Sequence, residues 1–158
     1  MNLNTSSKIV FSKKLAALLK KRRGRRIVFT NGVYDLLHAG HVALLQKAKR
    51  LGDVLIVGLN TDASVRRIKG PKRPIAGQSD RAQVLAALEP VDYVTFFDEN
   101  TPYQLIQRLR PDILVKGGDY ASHKIVGRDL VKKVVRIPLV KGRSTSALIA
   151  KIMKAYGR

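Results

Sequence analysis

Thr30-Asn-Gly-Val-Tyr-Asp-Leu-Leu-His-Ala-Gly-His41 joins two segments of opposite periodicity. Before it, Arg26-Ile-Val-Phe-Thr30 is a β-branched and aromatic run, a strand by composition. After it, the stretch from Gly40 to Leu51 carries apolar residues at Val42, Leu44, Leu45 and Ala48, the spacing of an amphipathic helix. The first N–H groups of such a helix are unpaired and its dipole end is positive, so its start attracts an anion. Gly40 lets a phosphate approach the backbone closely. His38 and His41 flank it, each with a ring N–H suited to charge that grows on phosphate oxygens.

The same alternation continues in both directions. Gly52-Asp53 stops the helix, and Val54-Leu-Ile-Val-Gly-Leu59 is a nearly continuous apolar run, the mark of a parallel strand covered on both faces. Asp62 is placed as the N-cap of a short helix through Ile68. Gly70-Pro-Lys-Arg-Pro74 is a basic loop, and Ser79 or Asp80 caps a helix through Leu88. Tyr93 to Phe97 is a third strand. Thr101, with Pro102 at the first helical position, opens a helix through Leu109. Ile113 to Val115 is a fourth strand, a helix is expected over 123–133, and Val134 to Ile137 is a fifth strand. Ser144 or Thr145 caps a last helix to Tyr156. Five strands alternating with helices predict an α/β fold: a doubly wound, five-stranded parallel sheet with ligands at the carboxyl ends of its strands. The loops at 31–38, 60–62, 98–101, 116–120 and 139–144 then share one rim.

Composition narrows the classes. Thirty-one Lys and Arg against eleven Asp and Glu give +20 in 158 residues. Nine of the cations (Lys8, Lys13, Lys14, Lys20, Lys21, Arg22, Arg23, Arg25, Arg26) fall in residues 1–26, which hold no acid. Such an excess favours polyanionic partners. An amphipathic basic helix is expected over 12–23, with Leu15, Leu18 and Leu19 on one face. Residues 1–25 are therefore read as an arm and 26–158 as the domain. Residues 1–22 carry no motif residue, so their removal is expected to leave the site working. No aromatic residue lies in 12–26, so base stacking is not indicated and nucleic acid is not expected as the main partner. There is no cysteine, no apolar run of 18 residues and no apolar leader, which points to a cytoplasmic protein with no membrane span. Neither G-x-G-x-x-G nor G-x-x-x-x-G-K-[ST] occurs. Two histidines three apart are half a zinc site, but only His123 remains and there is no cysteine to complete it.

The His38-Ala-Gly-His41 segment resembles the signature of the cytidylyltransferase-like nucleotidyltransferases, and the resemblance runs over residues 26–156. Gly52 to Asp62, Lys69 to Pro74, Asp80-Arg81, Leu114 to Tyr120 and Arg143-Ser-Thr-Ser146 are further similar to the D-glycero-β-D-manno-heptose 1-phosphate adenylyltransferases. That family occurs free-standing or fused behind a sugar kinase; 158 residues leave no room for the kinase, which points to the free-standing form. The resemblance implies a Rossmann-like nucleotidyltransferase fold and a homodimer. It implies ATP and a sugar phosphate as substrates, with Mg²⁺ arriving on the NTP phosphates and Asp35 as a candidate for helping to place it. It implies that His38 and His41 contact the NTP phosphates, with Arg81 as a third catalytic candidate. Thr30, Asn31, Gly32, Val33, Tyr34 and Gly40 would line the nucleotide cleft. Lys116, Gly117 and Asp119 would lie beside base and ribose. Arg143, Ser144, Thr145 and Ser146 match a second phosphate-binding stretch, with Ser-Thr-Ser where the family usually has Ser-Thr-Thr. Asp35, Lys47, Lys69 and Arg73 fall to the sugar-phosphate side. The alternatives are a cytidylyltransferase for glycerol 3-phosphate or a related alcohol phosphate, and a nucleic-acid-binding module.

Overall fold

The computed structural model describes residues 5–21, 24–118, 125–140 and 142–157. Its centre is a five-stranded parallel sheet in the order β3-β2-β1-β4-β5, formed by β1 (Ile27–Gly32), β2 (Val54–Asn60), β3 (Tyr93–Phe97), β4 (Ile113–Gly117) and β5 (Lys133–Ile137). Strand order reverses direction between β1 and β4, which opens the crevice where such sheets bind ligands. The register aligns the carboxyl ends: Thr30 pairs with Val57 on one side and Val115 on the other.

Side-chain alternation along the strands divides the core in two. Val28, Leu55, Val57 and Val115 face α2 (Ala39–Lys49) and α4 (Gln78–Ala87), where Leu44, Leu45, Ala48 and Leu85 are buried. Phe29, Ile56 and Leu114 face the other way, toward α1 (Ser12–Lys20) and α5 (Tyr103–Leu109), against Leu15, Leu19, Leu105 and Ile106. All seven residues of β2 are buried, as its unbroken apolar run requires. At the amino ends, carboxylates tie the strands together. Asp53 accepts from the Arg26 N–H at 2.7 Å, Asp112 from the Ile27 N–H at 2.9 Å, and Asp92 from the Leu55 N–H at 2.6 Å.

The arm belongs to this core. Leu15 is fully buried and Leu19 nearly so, Arg108 of α5 donates to Ser12 Oγ at 2.8 Å, and the Val10 N–H donates to the Val94 carbonyl at 2.9 Å. Ile9 pairs with Val94 as a parallel bridge along the outer edge of β3. Residues 5–21 are thus packed structure, and removing them would uncover one face of the sheet.

Several element ends differ from the sequence reading. Thr61, not Asp62, is the N-cap of α3 (Asp62–Lys69); its hydroxyl accepts from the Ser64 N–H at 3.1 Å, and Asp62 is drawn into an ion pair instead. Neither Ser79 nor Asp80 caps α4, which starts after Gly77. Pro102 precedes α5 rather than opening it. Of the helix expected over 123–133, residues 123–124 lie outside the described residues. The remainder holds only a 3₁₀ turn at Arg128–Leu130 before β5 begins. Gly127 accounts for this: its φ is +85°, and an added Cβ would stand 2.5 Å from Ile106 Cδ1, so the chain turns tightly against α5 there.

Candidate active site

β1 ends in a reversal. Tyr34 adopts φ +48°, an uncommon conformation for a residue with a Cβ, and its ring turns back under the loop. The ring is almost fully buried, Thr30 is its hydrogen-bond partner, and burial pushes the phenol up to about 12. Tyr34 therefore supports the site from beneath instead of lining the cleft; its ring centroid lies 5.1 Å from that of His41. His38 is the extended N-cap residue of α2, and its carbonyl accepts from the His41 N–H at 2.9 Å. The two imidazoles stack at 3.8 Å with planes 22° apart. An added Cβ at Gly40 would stand 2.9 Å from His38 Nδ1 and 3.4 Å from Arg143 Cβ. The glycine thus makes room for a protein ring, where the sequence pointed to an approaching phosphate.

Burial, and secondarily its neighbour His38, holds His41 down at about 4. Burial, and secondarily the Arg143 charge, lowers His38 as well. Both rings are therefore neutral at neutral pH, each with one N–H available to donate. Two imidazolium ions this close would repel each other. Nδ1 of each ring is buried without a hydrogen-bond partner among the described residues. Among the described residues no carboxylate fixes either tautomer, so each ring proton can settle where an incoming oxygen asks for it.

A second helix start converges on the same point. Ser144 caps α6 (Thr145–Tyr156), accepting from the Ala147 N–H at 3.1 Å, and the Thr145 hydroxyl donates to the Leu36 carbonyl at 3.3 Å. The second bond anchors α6 to the loop that carries His38. Arg143 and Ser146 remain exposed. Together with His38, Arg143 and Ser144 wall a cavity of about 420 Å³. Next to β1 lies the crevice, about 390 Å³, lined by Asn31, Gly32, Val33, Lys69, Lys116 and Gly117 among others. Lys116 donates to Asn31 Oδ1, and burial lowers its ammonium to about 8.

Not every residue expected at the site reaches it. Arg81 is a fastener: its buried guanidinium donates to the Ala76, Val33 and Asn60 carbonyls at 3.0, 2.6 and 3.0 Å and to Asp62 at 2.6 Å. Holding the three rim loops together makes it a positioning residue rather than a catalytic one. Asp35 is equally committed, accepting from Arg73 Nε at 2.5 Å and from the Ile75 and Ala76 N–H groups at 2.8 and 2.9 Å. Both of its oxygens are thus engaged within the protein, and Arg73 meets them through Nε alone, leaving its two terminal nitrogens for other partners. Among the described residues no three His, Asp or Glu side chains group to hold a cation. Lys47 is exposed on α2, six residues past His41, about 9 Å down the helix from the rim. Asp119 lies outside the described residues. Asn60, Asn100, Thr101, Ile125 and Val126 also line the crevice. The rule that ligands bind at the carboxyl ends of strands marked the loops holding the first three, but no motif marks the side chains.

Two stacked histidines at one helix start, a hydroxyl-capped second helix start and a crevice at the strand-order switch thus meet at one rim of the sheet. The sequence pattern of the cytidylyltransferase-like family matches residues 29–156, a span that holds all of them. The chain belongs to the cytidylyltransferase-like family. It is accordingly a nucleotidyltransferase, with a Rossmann-like fold. It is 64% identical over 132 residues to the bifunctional protein HldE of Wolinella succinogenes, covering 84% of this chain and 28% of that protein. It is 54% identical over 160 residues to HldE of Syntrophotalea carbinolica, covering 98% and 33%. The chain thus spans about a third or less of these relatives. Among solved structures, a lipopolysaccharide core biosynthesis protein from Thermoplasma volcanium shares 30% identity at a TM-score of 0.65, over 75% of this chain and all of that one. A pantoate–β-alanine ligase from Francisella tularensis, at 17% identity and a TM-score of 0.59 over 92% of this chain and 78% of its own, shares the fold alone.

Proposed function

We propose that this cytidylyltransferase-like chain transfers AMP from ATP to D-glycero-β-D-manno-heptose 1-phosphate, giving ADP-heptose and pyrophosphate for lipopolysaccharide core precursor synthesis in the cytoplasm. The observation that carries the reading is the convergence of two helix starts, the stacked His38 and His41, and Arg143 on one side of a crevice lined by Lys69 and Lys116. The similarity to HldE proteins and to a lipopolysaccharide core biosynthesis protein supports the sugar-phosphate acceptor.

The acceptor's phosphate oxygen attacks the α-phosphorus of ATP in line; the new P–O bond forms as the bond to the β-phosphate bridging oxygen breaks, and pyrophosphate leaves. A phosphate monoester loses its second proton near ~6, so the nucleophile is already ionised and needs no base. This suits a centre whose histidines are neutral donors. As charge builds on the phosphate oxygens, the His38 and His41 N–H groups and the α2 start stabilise it without reorganising. Arg143 and the α6 start face the same pocket, and Lys116 orders the crevice wall through Asn31.

The test is pyrophosphate release with ATP or CTP against heptose 1-phosphate or glycerol 3-phosphate. Fastest turnover with ATP and the heptose phosphate is expected. A faster rate with CTP and glycerol 3-phosphate would replace this reading with the polyol cytidylyltransferase one. The reading includes a homodimer, which sedimentation velocity tests. α6 holds no buried residue and leaves Ile152, Met153 and Tyr156 exposed.

A further inference from the structure

The end of the sheet opposite the crevice carries three open cavities that share walls. One, of about 600 Å³, lies under the starts of β1, β2 and β4 and is lined by Arg25, Arg26, Arg50 and Lys132, with Asp53 and Asp112. A second of about 600 Å³ shares Asp112 and Lys132 and adds Arg110. A third of about 470 Å³ shares Arg110 and adds Lys20 and Arg108. The carboxylates along this trough are occupied. Asp53 and Asp112 bind the strand starts, Asp112 also accepts from Lys132 at 2.7 Å, and Asp129 accepts from the Tyr103 hydroxyl at 2.7 Å. The side chains of Arg25, Arg50 and Arg110 are exposed and form no hydrogen bond or ion pair with any described residue.

Unpaired guanidinium groups collected in a concave surface repel one another until an anion enters, and their planar forks match phosphate oxygens. They are spread along a trough instead of meeting at one point, which fits a ligand with phosphates repeated along its length. Among the described residues no aromatic side chain lines any of the three cavities, and Tyr103 reaches the trough only through its hydroxyl on Asp129, so base stacking is not what the walls offer. Among the described residues none of the large exposed apolar side chains lines these cavities either, unlike a surface that inserts into lipid. We propose that this trough binds a nucleic-acid strand through its phosphates, without reading sequence, on the face away from the catalytic crevice.

The test is fluorescence anisotropy of a labelled single-stranded DNA of about 20 nucleotides at several salt concentrations. Single-strand binding changes log K by about −0.7 per phosphate neutralised, so four or five contacts give a log–log slope near −3, the same for unrelated sequences. The variant Arg25→Ala/Arg50→Ala/Arg110→Asn should weaken binding at least ~10-fold and flatten the slope by about 2. Asn is used at 110 because that residue has φ +49°. Circular dichroism verifies the fold, and Arg25→Ala alone gives a smaller loss in the same direction. A control with equal charge removed elsewhere, Arg66→Ala/Lys72→Ala/Lys154→Ala, should stay within about threefold of wild type. Excess ATP at constant ionic strength should leave the anisotropy unchanged. The proposal is overturned by absence of salt-dependent binding, by equal loss in the control, by displacement with ATP, or by capture on phosphatidylglycerol vesicles without oligonucleotide binding.

Discussion

A methyl group at position 40 would collide with His38 Nδ1, and helix propensity pulls the other way. Ala is the better helix former by about 1 kcal/mol, so Gly40→Ala should leave α2 formed or firmer while it unseats the His38 ring. We expect a folded protein by circular dichroism with pyrophosphate release down on the order of 100-fold, the scale of losing one preorganised donor. His41→Ala should cost ~100- to 1,000-fold in kcat, about 3–4 kcal/mol, with little change in the fold. A folded His41→Ala protein with near wild-type kcat would remove the histidine pair from the mechanism. The depressed His41 also has a stability signature. Its native value is about 4 against 6.5 for an exposed imidazole, so the unfolded chain takes up the proton first as pH falls. Stability is full above about 6.5 and is lost between there and about 4. The thermal midpoint should decline across that window, and His41→Gln should flatten the decline. At this scale His38, Gly40 and His41 were legible because their geometry is local: one loop, one helix start. Asp35 and Arg81 were not, because their partners are mainly backbone groups of loops distant in sequence, including the Ala76 N–H and the Val33 and Asn60 carbonyls, which no pattern of side chains announces.

Among the elements, α1 departs furthest from the sequence reading. Its apolar spacing at Leu15, Leu18 and Leu19 was plain, but amphipathicity says only that a helix has a face to bury, not what covers it. Its nine residues pack beside α5 over Phe29 and Ile56. Leu15→Ala should therefore destabilise by about 2–5 kcal/mol, the range for a fully buried leucine, seen as a lower urea midpoint at unchanged slope. Truncation at residue 21 should lose activity through loss of the fold, which near-ultraviolet circular dichroism would separate from a substrate-binding role. The expected helix before β5 failed for a related reason: Gly127 packs on Ile106, a contact between residues 21 apart that local propensity cannot foresee.

At the scale of the whole molecule, parallel order and the position of the crevice followed from the alternation of strand and helix, since a right-handed crossover leaves few other arrangements. The strand order 3-2-1-4-5 puts β3 and β5 at the margins, and the two margins are treated differently. β5 shows Lys133 and Arg136 to solvent. β3 is apolar, Tyr-Val-Thr-Phe-Phe, and is covered by Ile9 and Val10 lying along Val94. Without that cover, β3 would present a free row of amide groups beside aromatic side chains, with no charge to discourage pairing. An unguarded margin of this kind recruits strands from other molecules. A chain that has lost its first ten residues should therefore self-associate through β3, seen as concentration-dependent light scattering that the full chain lacks.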